Sequence, residues 1–408
     1  MRDFKTPRWG IVYLVAFALL LVSLPRPGAA QAAAYTVTDL GTLGGAESRA
    51  FGINHVGRVA GESDTSASPE PENPFSWTNG SMTDIGNFGS GGGAAHAVND
   101  VGYAVGSADT VTSHQRAFIW SDIFGKRELG TFLGGNFAIA LDINTANQVV
   151  GQADIGNAGN IQDRAFVWEN STGMQQIATL GGASNAGLGI NNVGQIVGYS
   201  DTAGGETHGF LLSGGILTDI PTLGGRLGFA HEINDGGQVV GHSTLSVGPL
   251  NPPQHAFLWT AGAIPVDLGT LGGTHSFAYS INNLGEVVGS AQTADGALHA
   301  FIYSQSIGTM TDLNELTAGS GWTLVEARDI NNQGKIVGYG INPSGLAHAF
   351  LLTPNVDEIP GGEPPPCSVG TSSPIILPQT TTKPIRQTKK MPAPVSGRRK
   401  PIYDILRL

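Results

Sequence analysis

The sequence predicts an all-β protein: a seven-bladed propeller of four-stranded blades, closed by its own N-terminal strand. Three observations lead there. The first is composition: 408 residues include 60 glycines, with 40% hydrophobic and only 13% charged residues. A glycine inside a helix costs about 0.5–1 kcal/mol relative to alanine, so this mixture suits short strands joined by tight turns. No stretch beyond the N-terminus carries a long apolar stripe of helical period. The second is a unit that occurs seven times, cleanest at Asp267-Leu-Gly-Thr-Leu-Gly-Gly-Thr-His-Ser-Phe-Ala-Tyr-Ser-Ile-Asn-Asn-Leu-Gly-Glu-Val-Val-Gly289 and His299-Ala-Phe-Ile-Tyr303. Its last glycine recurs at intervals of 45, 45, 47, 43, 48 and 49 residues, a period typical of propeller blades. The third is one register, three before the Ile or Val of each Ile-Asn pair, that is always small: Ala50, Ala95, Ala140, Gly187, Ala230, Ala278 and Ala327. Blades converging on an axis leave least room there, whereas a linear solenoid gives no reason for it.

Each unit divides into four strand-sized pieces. The approach to Ile-Asn, as in Ser276–Ile281, is the first and innermost. Asn282-Asn-Leu-Gly285 turns the chain, because asparagine bonds its own backbone and glycine accepts positive φ. Glu286–Ser290 is the second piece; its unalternated valines fit a strand buried on both faces. His299–Tyr303 is the third, and the next unit's opening phrase, here Met310–Leu313, is the fourth. Because the first unit opens on the fourth-strand phrase Thr36–Leu40 and the last ends at His348–Leu352, the N-terminal strand completes the last blade and removes the exposed edges. Val356-Asp-Glu-Ile-Pro-Gly-Gly362 is a worn copy of the same phrase and could compete, though Pro360 opposes a long strand.

The repeat body spans residues 35–354, between two unlike ends. Arg2, Lys5 and Arg8 precede the apolar run Trp9–Leu24, and Ala30-Gln31-Ala32 supplies a cleavage pattern. The run has 16 residues, short of the ~20 that span a bilayer, so 1–32 reads as a signal peptide, with an uncleaved anchor as the alternative. The chain is expected to be secreted or held at the cell envelope, with no stable membrane span after cleavage. Residues 355–408 are rich in Pro and Thr, then basic, and are expected to be disordered. The closing Ile402-Tyr-Asp-Ile-Leu-Arg-Leu408 is apolar and unexplained. A single cysteine, Cys367, excludes an internal disulfide framework. From Tyr35 to Asn355 there are 9 Lys/Arg and 27 Asp/Glu; from Val356 onward there are 8 and 4. An acidic body argues against nucleic acid as a partner.

His255-Ala-Phe-Leu-Trp259 and its sister copies, with Leu-Gly-Thr-Leu-Gly-Gly and Ile-Asn-x-x-Gly, resemble the HAF-repeat family of exported bacterial proteins over about 320 residues. The resemblance implies an extracellular repeat protein and no particular activity. The departures are Arg116 and Arg164 in place of the histidine, Asn73-Pro74-Phe75 in place of the triplet, and Asn147 in place of a turn glycine. Some family members end in a sorting segment with a membrane helix, which this chain lacks.

Several repeated residues could carry chemistry. His208, His255, His299 and His348 open the third strands, one per blade; spread around a ring they cannot converge on one metal ion, and a structural role is expected. Trp77, Trp120, Trp168, Trp259 and Tyr303 are expected to pack between blades. Asp64, Asp109, Asp154 and Asp201 follow the second-strand glycine by three residues, replaced by Thr244, Gln292 and Ile341 in later copies. They either end the strand as Asx turns or form an acidic ligand- or cation-binding face. No nucleophile elbow, phosphate loop or base–nucleophile pair is present, so no catalytic, cofactor or metal residue is assigned and no cofactor is expected.

The sequence therefore reads as a monomeric, non-enzymatic binding or display module for an extracellular or envelope ligand, a glycan or a protein. It would use the loops Glu62–Asn73, Ser107–Gln115, Gln152–Asp163, Tyr199–Thr207, His242–Gln254, Ser290–Leu298 and Tyr339–Ala347. The alternative is a hydrolase or lyase acting on extracellular polysaccharide, with Asp64, Asp109, Asp154 and Asp201 as carboxylates at the channel mouth.

Overall fold

The computed structural model describes residues 34–66, 72–89, 91–156, 162–246 and 252–355. The leader, the worn phrase at 356–362 and all of the basic tail except Asn355 lie outside the described residues. Seven antiparallel four-stranded sheets form the ring, six of them built from four consecutive strands. The first strands are Gly44–Ile53, Gly93–Val98, Ala138–Ile143, Gly181–Ile190, Gly228–Ile233, Gly272–Ile281 and Thr323–Ile330. They touch the first strands of both neighbouring blades, so they are innermost and surround a channel.

The seventh sheet combines Thr323–Ile330, Ile336–Ile341 and Ala347–Pro354 with the N-terminal strand Tyr35–Asp39, which pairs Tyr35 to Pro354 and Asp39 to Phe350. The ring is closed as the sequence predicts. One connection departs from it: between blades six and seven the Leu-Gly-Gly phrase gives way to a helical turn, Leu313–Leu316, capped by Asp312, whose carboxylate accepts from Asn314 N.

The repeated residues are spent on this architecture. The phenylalanines of the third strands, Phe75, Phe118, Phe166, Phe210, Phe257, Phe301 and Phe350, are among the most deeply buried side chains. Opposite them sits the second-strand glycine, and a Cβ there would fall 1.8–2.1 Å from a first-strand carbonyl oxygen in every blade. No other residue fits. The six alanines of the small register are fully buried, and the expected aromatic packing holds, from Trp259 at 3% exposure to Tyr303 at 9%.

The Ile-Asn asparagines do more than turn the chain. Each donates Nδ2 to the backbone oxygen of its counterpart in the next blade: Asn54 to Asn99, Asn99 to Asn144, Asn144 to Asn191, and on through Asn234, Asn282 and Asn331, which returns to Asn54. These seven bonds, 2.9–3.2 Å long, close a circle. In all seven copies Oδ1 also accepts the backbone N–H four residues on, as Asn234 does from Gln238 at 3.0 Å. Asn147 stands where other copies have glycine and takes φ 62° itself, which asparagine tolerates better than most residues.

Candidate functional site

The expected candidates resolve into structural parts. His208, His255, His299 and His348 each place Nδ1 2.6–2.9 Å from a fourth-strand aspartate: Asp219, Asp267, Asp312 and Asp39. The pairing is across strands of one blade, and in the last blade it joins the closing strand. Where histidine is replaced, Asn73 donates to Asp84 and Arg116 pairs with Glu128.

The aspartates on the loop face also act locally. Asp64 accepts from Glu47 N, Asp109 from Gly92 N, Asp154 from Asn136 N and Phe137 N, and Asp201 from Ser184 N. Thr244 and Gln292 accept from Leu227 N and Thr274 N in the same way. In these six blades the residue three after the second-strand glycine therefore pins the loop that enters the first strand to its own blade. That loop needs its second glycine because a Cβ at Gly45 or Gly182 would lie 2.3 or 2.5 Å from the Cβ of Asp64 or Asp201. These carboxylates are not gathered into one site.

What the structure does gather was not singled out from sequence. Every first strand carries a bulge just before its Ile-Asn pair, as between Ala50 and Gly52 or Ala327 and Asp329. A bulge adds an unpaired residue and re-aims the side chains beside it. The two residues before the Ile or Val thus approach the axis in all seven blades. The first of the two is Phe51, His96, Leu141, Leu188, His231, Tyr279 or Arg328; the second, nearer the Asn turns, is Gly52, Ala97, Asp142, Gly189, Glu232, Ser280 or Asp329. Most of them line a cavity of about 60 Å³ within the channel. The signal in the sequence is variation: inside a phrase that hardly changes, the two-residue combination at these positions is different in every copy.

The channel is electrostatically unusual. Asp142, Glu232 and Asp329 keep some surface on the channel but lie deep among protein atoms. Burial pushes the Asp142 carboxyl up to about 7, reinforced by Asp329, against the opposing backbone bonds from Ile190 and Ile143. Burial, with Asp142 and Asp329 nearby, pushes Glu232 well above the usual carboxylate range. Burial also raises Asp329, although it accepts from Ser280 Oγ, Ile53 N and Ile330 N. Deeper in, Arg328 lies 4.3 Å over the Tyr279 ring and 2.5 Å from buried Glu326. His231 bonds His242 at 2.9 Å. Burial, aided by Arg328, lowers His96 to about 4 and His231 to about 3, so both are neutral at ordinary pH.

The channel opens on two unlike faces. On the turn face a polar mouth of about 180 Å³ is rimmed by the asparagine circle and by His55, Asp100, Thr145, Asn192, Asp235, Asn283 and Asn332. Five carboxylates line it (Asp100, Asp142, Glu232, Asp235, Asp329) and no Lys or Arg does. On the loop face the second and third strands run further than the sequence suggests, so the variable loops are shorter. Four close as five-residue hairpins of one geometry: Thr110–His114, Thr202–Glu206, Thr293–Ala297 and Asn342–Leu346. The loops of blades one, three and five are longer, and residues 67–71, 157–161 and 247–251 within them lie outside the described residues. Among the described residues, no group of three or more His, Cys, Asp or Glu could hold a metal ion.

No family model matches the chain, and no curated protein does. Solved structures do. The β-propeller domain of the Trilobed protease from Pyrococcus furiosus aligns with a TM-score of 0.51 and 8% identity, over 75% of this chain and 95% of that one. An acylaminoacyl peptidase from Pyrococcus horikoshii aligns at 0.49 and 9%, over 74% and 51%, and TolB from Acinetobacter baumannii at 0.42 and 12%, over 72% and 63%. At such identity the first match supports the propeller fold and nothing finer. That domain is described as having an open velcro topology; here the ring is closed by Tyr35–Asp39.

Proposed function

We propose that the protein is an exported, non-catalytic propeller that binds an extracellular or envelope ligand, a glycan or a protein, through its variable-loop face. The observation carrying this reading is the unequal build of that face. Four loops are clamped as identical short hairpins, while those of blades one, three and five are longer and unlike one another in sequence. Loops that differ in length and sequence on a rigid scaffold are where recognition concentrates in repeat proteins. The leader with its basic flank and the resemblance to exported HAF-repeat proteins support the extracellular setting.

The test is binding of the full chain to a glycan array and to cell-envelope fractions, repeated after the three long loops are replaced by the blade-six hairpin Thr293–Ala297. The exchange should abolish binding and leave the β-sheet circular-dichroism spectrum unchanged. Binding that survives all three exchanges would remove the loop face from consideration.

One observation favours a second reading, a hydrolase or lyase acting on extracellular polysaccharide. Carboxyls raised by burial and by one another are the usual makings of a general acid. Its residues would be Asp142, Glu232 and Asp329 at the turn-side mouth, not Asp64, Asp109, Asp154 and Asp201. A screen of acidic and neutral polysaccharides against wild type and Glu232→Gln decides it: no product from any of them, or product from both proteins alike, excludes the reading.

A further inference from the structure

Among the described residues the turn face is the more apolar end of the channel. Among the described residues fifteen large hydrophobic side chains are exposed, and ten of them lie in or beside its turns. Val56, Val101, Val193 and Leu284 stand 60–71% exposed at equivalent positions around the acidic mouth, with Ile123 and Phe124 further out. Both ends of the described chain emerge here. Tyr35 pairs with Pro354, Asn355 N donates to Ala34 O, and the Pro354 ring lies 3.3 Å from where a Gly334 Cβ would sit, in the last Asn turn.

A face with an acidic, cation-free centre and an apolar rim calls for a segment that is both basic and apolar. The chain contains one: Arg398-Arg-Lys-Pro-Ile-Tyr-Asp-Ile-Leu-Arg-Leu408. We propose that residues 398–408 dock on this face of the same molecule. Arg398–Lys400 and Arg407 are set toward the mouth lined by Asp100 and Asp235, and Ile402, Tyr403, Ile405, Leu406 and Leu408 against the exposed turn residues.

Charge balance supports the pairing: 9 basic and 27 acidic residues in the body against 8 and 4 in the segment that follows. Reach supports it too. Asn355 and Arg398 are 43 residues apart, and random-coil statistics give a chain of that length an r.m.s. span of ~36 Å. A body of this size has a radius of gyration of ~20 Å, so the channel mouth is within range. Tethering also favours the intramolecular partner, because it holds the segment at an effective concentration on the order of millimolar.

Limited trypsin digestion of the full chain, followed by mass spectrometry, tests this. At low salt, cleavage after Arg398 and Arg399 should be about tenfold slower than in a free peptide of residues 394–408, the equivalent of about 1.4 kcal/mol of docking. Protection should fall at 0.5 M salt, as screening requires. It should also fall in Ile405→Ser/Leu406→Ser/Leu408→Ser, which leaves every residue of the described body unchanged, and in Asp235→Asn combined with Phe124→Ser. Cleavage at the free-peptide rate in wild type overturns the proposal, as does protection that both sets of variants leave intact. Concentration-dependent dimers in sedimentation, lost with the tail variant, would assign the segment to a second copy. Flotation with anionic vesicles that depends on Ile405–Leu408 would assign it to a lipid surface. Either result displaces the intramolecular docking.

Discussion

Asn234 shows how much one repeated side chain carries. Its Nδ2 donates to Asn282 O in the next blade at 3.0 Å and to Gln238 Oε1 at 2.8 Å, while its Oδ1 accepts from Gln238 N. It is 5% exposed, so water cannot readily replace those bonds. Asn234→Ala strands a buried acceptor and a buried donor and should cost about 2–4 kcal/mol in urea unfolding. Asn234→Asp keeps the acceptor that holds the turn and loses the donor that reaches the next blade. If the circle contributes to stability as its geometry implies, the aspartate variant should recover only part of the loss; full recovery would mean the turn alone matters. Gly241 makes the steric counterpart. A Cβ there would lie 1.8 Å from Phe229 O, and backbone cannot step aside as a side chain can. Gly241→Ala should therefore cost about 3 kcal/mol or more, or prevent folding. Gly80 has a positive φ of 86° but open space around it, so Gly80→Ala should cost only about 1 kcal/mol.

At the scale of elements, the closing strand is where the two ends of the repeat depend on each other. Among the described strands, Tyr35–Asp39 is the only fourth strand not joined to its blade by a turn, and His348 holds it through Asp39 at 2.9 Å. Asp267 makes the same bond to His255 inside a continuous blade. Both aspartates are part-exposed, so each pair contributes at most about 1 kcal/mol. Losing it should nevertheless have different consequences. Asp39→Ala should accelerate hydrogen exchange along Ala347–Pro354, as the unanchored strand frays, while Asp267→Ala leaves its blade's exchange nearly unchanged. Equal effects would show that closure needs no more than backbone pairing. This strand was legible in the sequence because the repeat begins on its fourth phrase and ends on its third. Blade number, strand order and the small register could be read for the same reason: seven copies reveal what each position must be. The bulge could not, since it is a property of pairing between two strands and leaves no fixed residue behind. Without it, the residues beside the small register read as ordinary strand, and nothing in the sequence marks Asp142, Glu232, Asp329 and Arg328 as neighbours. The helical turn at Leu313–Leu316 leaves no repeated signature, since among the described residues it occurs once.

Across the whole molecule, the channel concentrates opposing titrations. An acid whose pKa is raised on folding binds more protons in the native state than in the unfolded chain, so its contribution is fully present below the unfolded value of about 4 and is lost as pH rises through the folded value. Asp142, with a folded value of about 7, behaves this way, as do Glu232, Asp329 and, on the loop side, Glu62, which burial and Glu72 raise to about 7. A histidine lowered on folding does the reverse: its contribution is present above about 6.5 and is lost as pH falls. His96, His231 and His242 follow that sign. Between about pH 4 and 6.5 the two sets oppose each other, which flattens the profile. Above 6.5 the histidines have finished and only the acids continue, so stability should decline toward alkaline pH. A variant separates the terms. Glu232 accepts one bond through Oε1, from Ile233 N at 2.9 Å, and glutamine can keep that bond while never ionising. The stability difference between Glu232→Gln and wild type should be near zero at pH 4, grow with pH, and favour the variant by about 1–3 kcal/mol at pH 8. Denaturant unfolding at four or five pH values measures it, and the histidines cancel because both proteins contain them. A difference that stays flat with pH would mean that Glu232 is ionised and stabilised in the channel, which requires a cationic group held close to it.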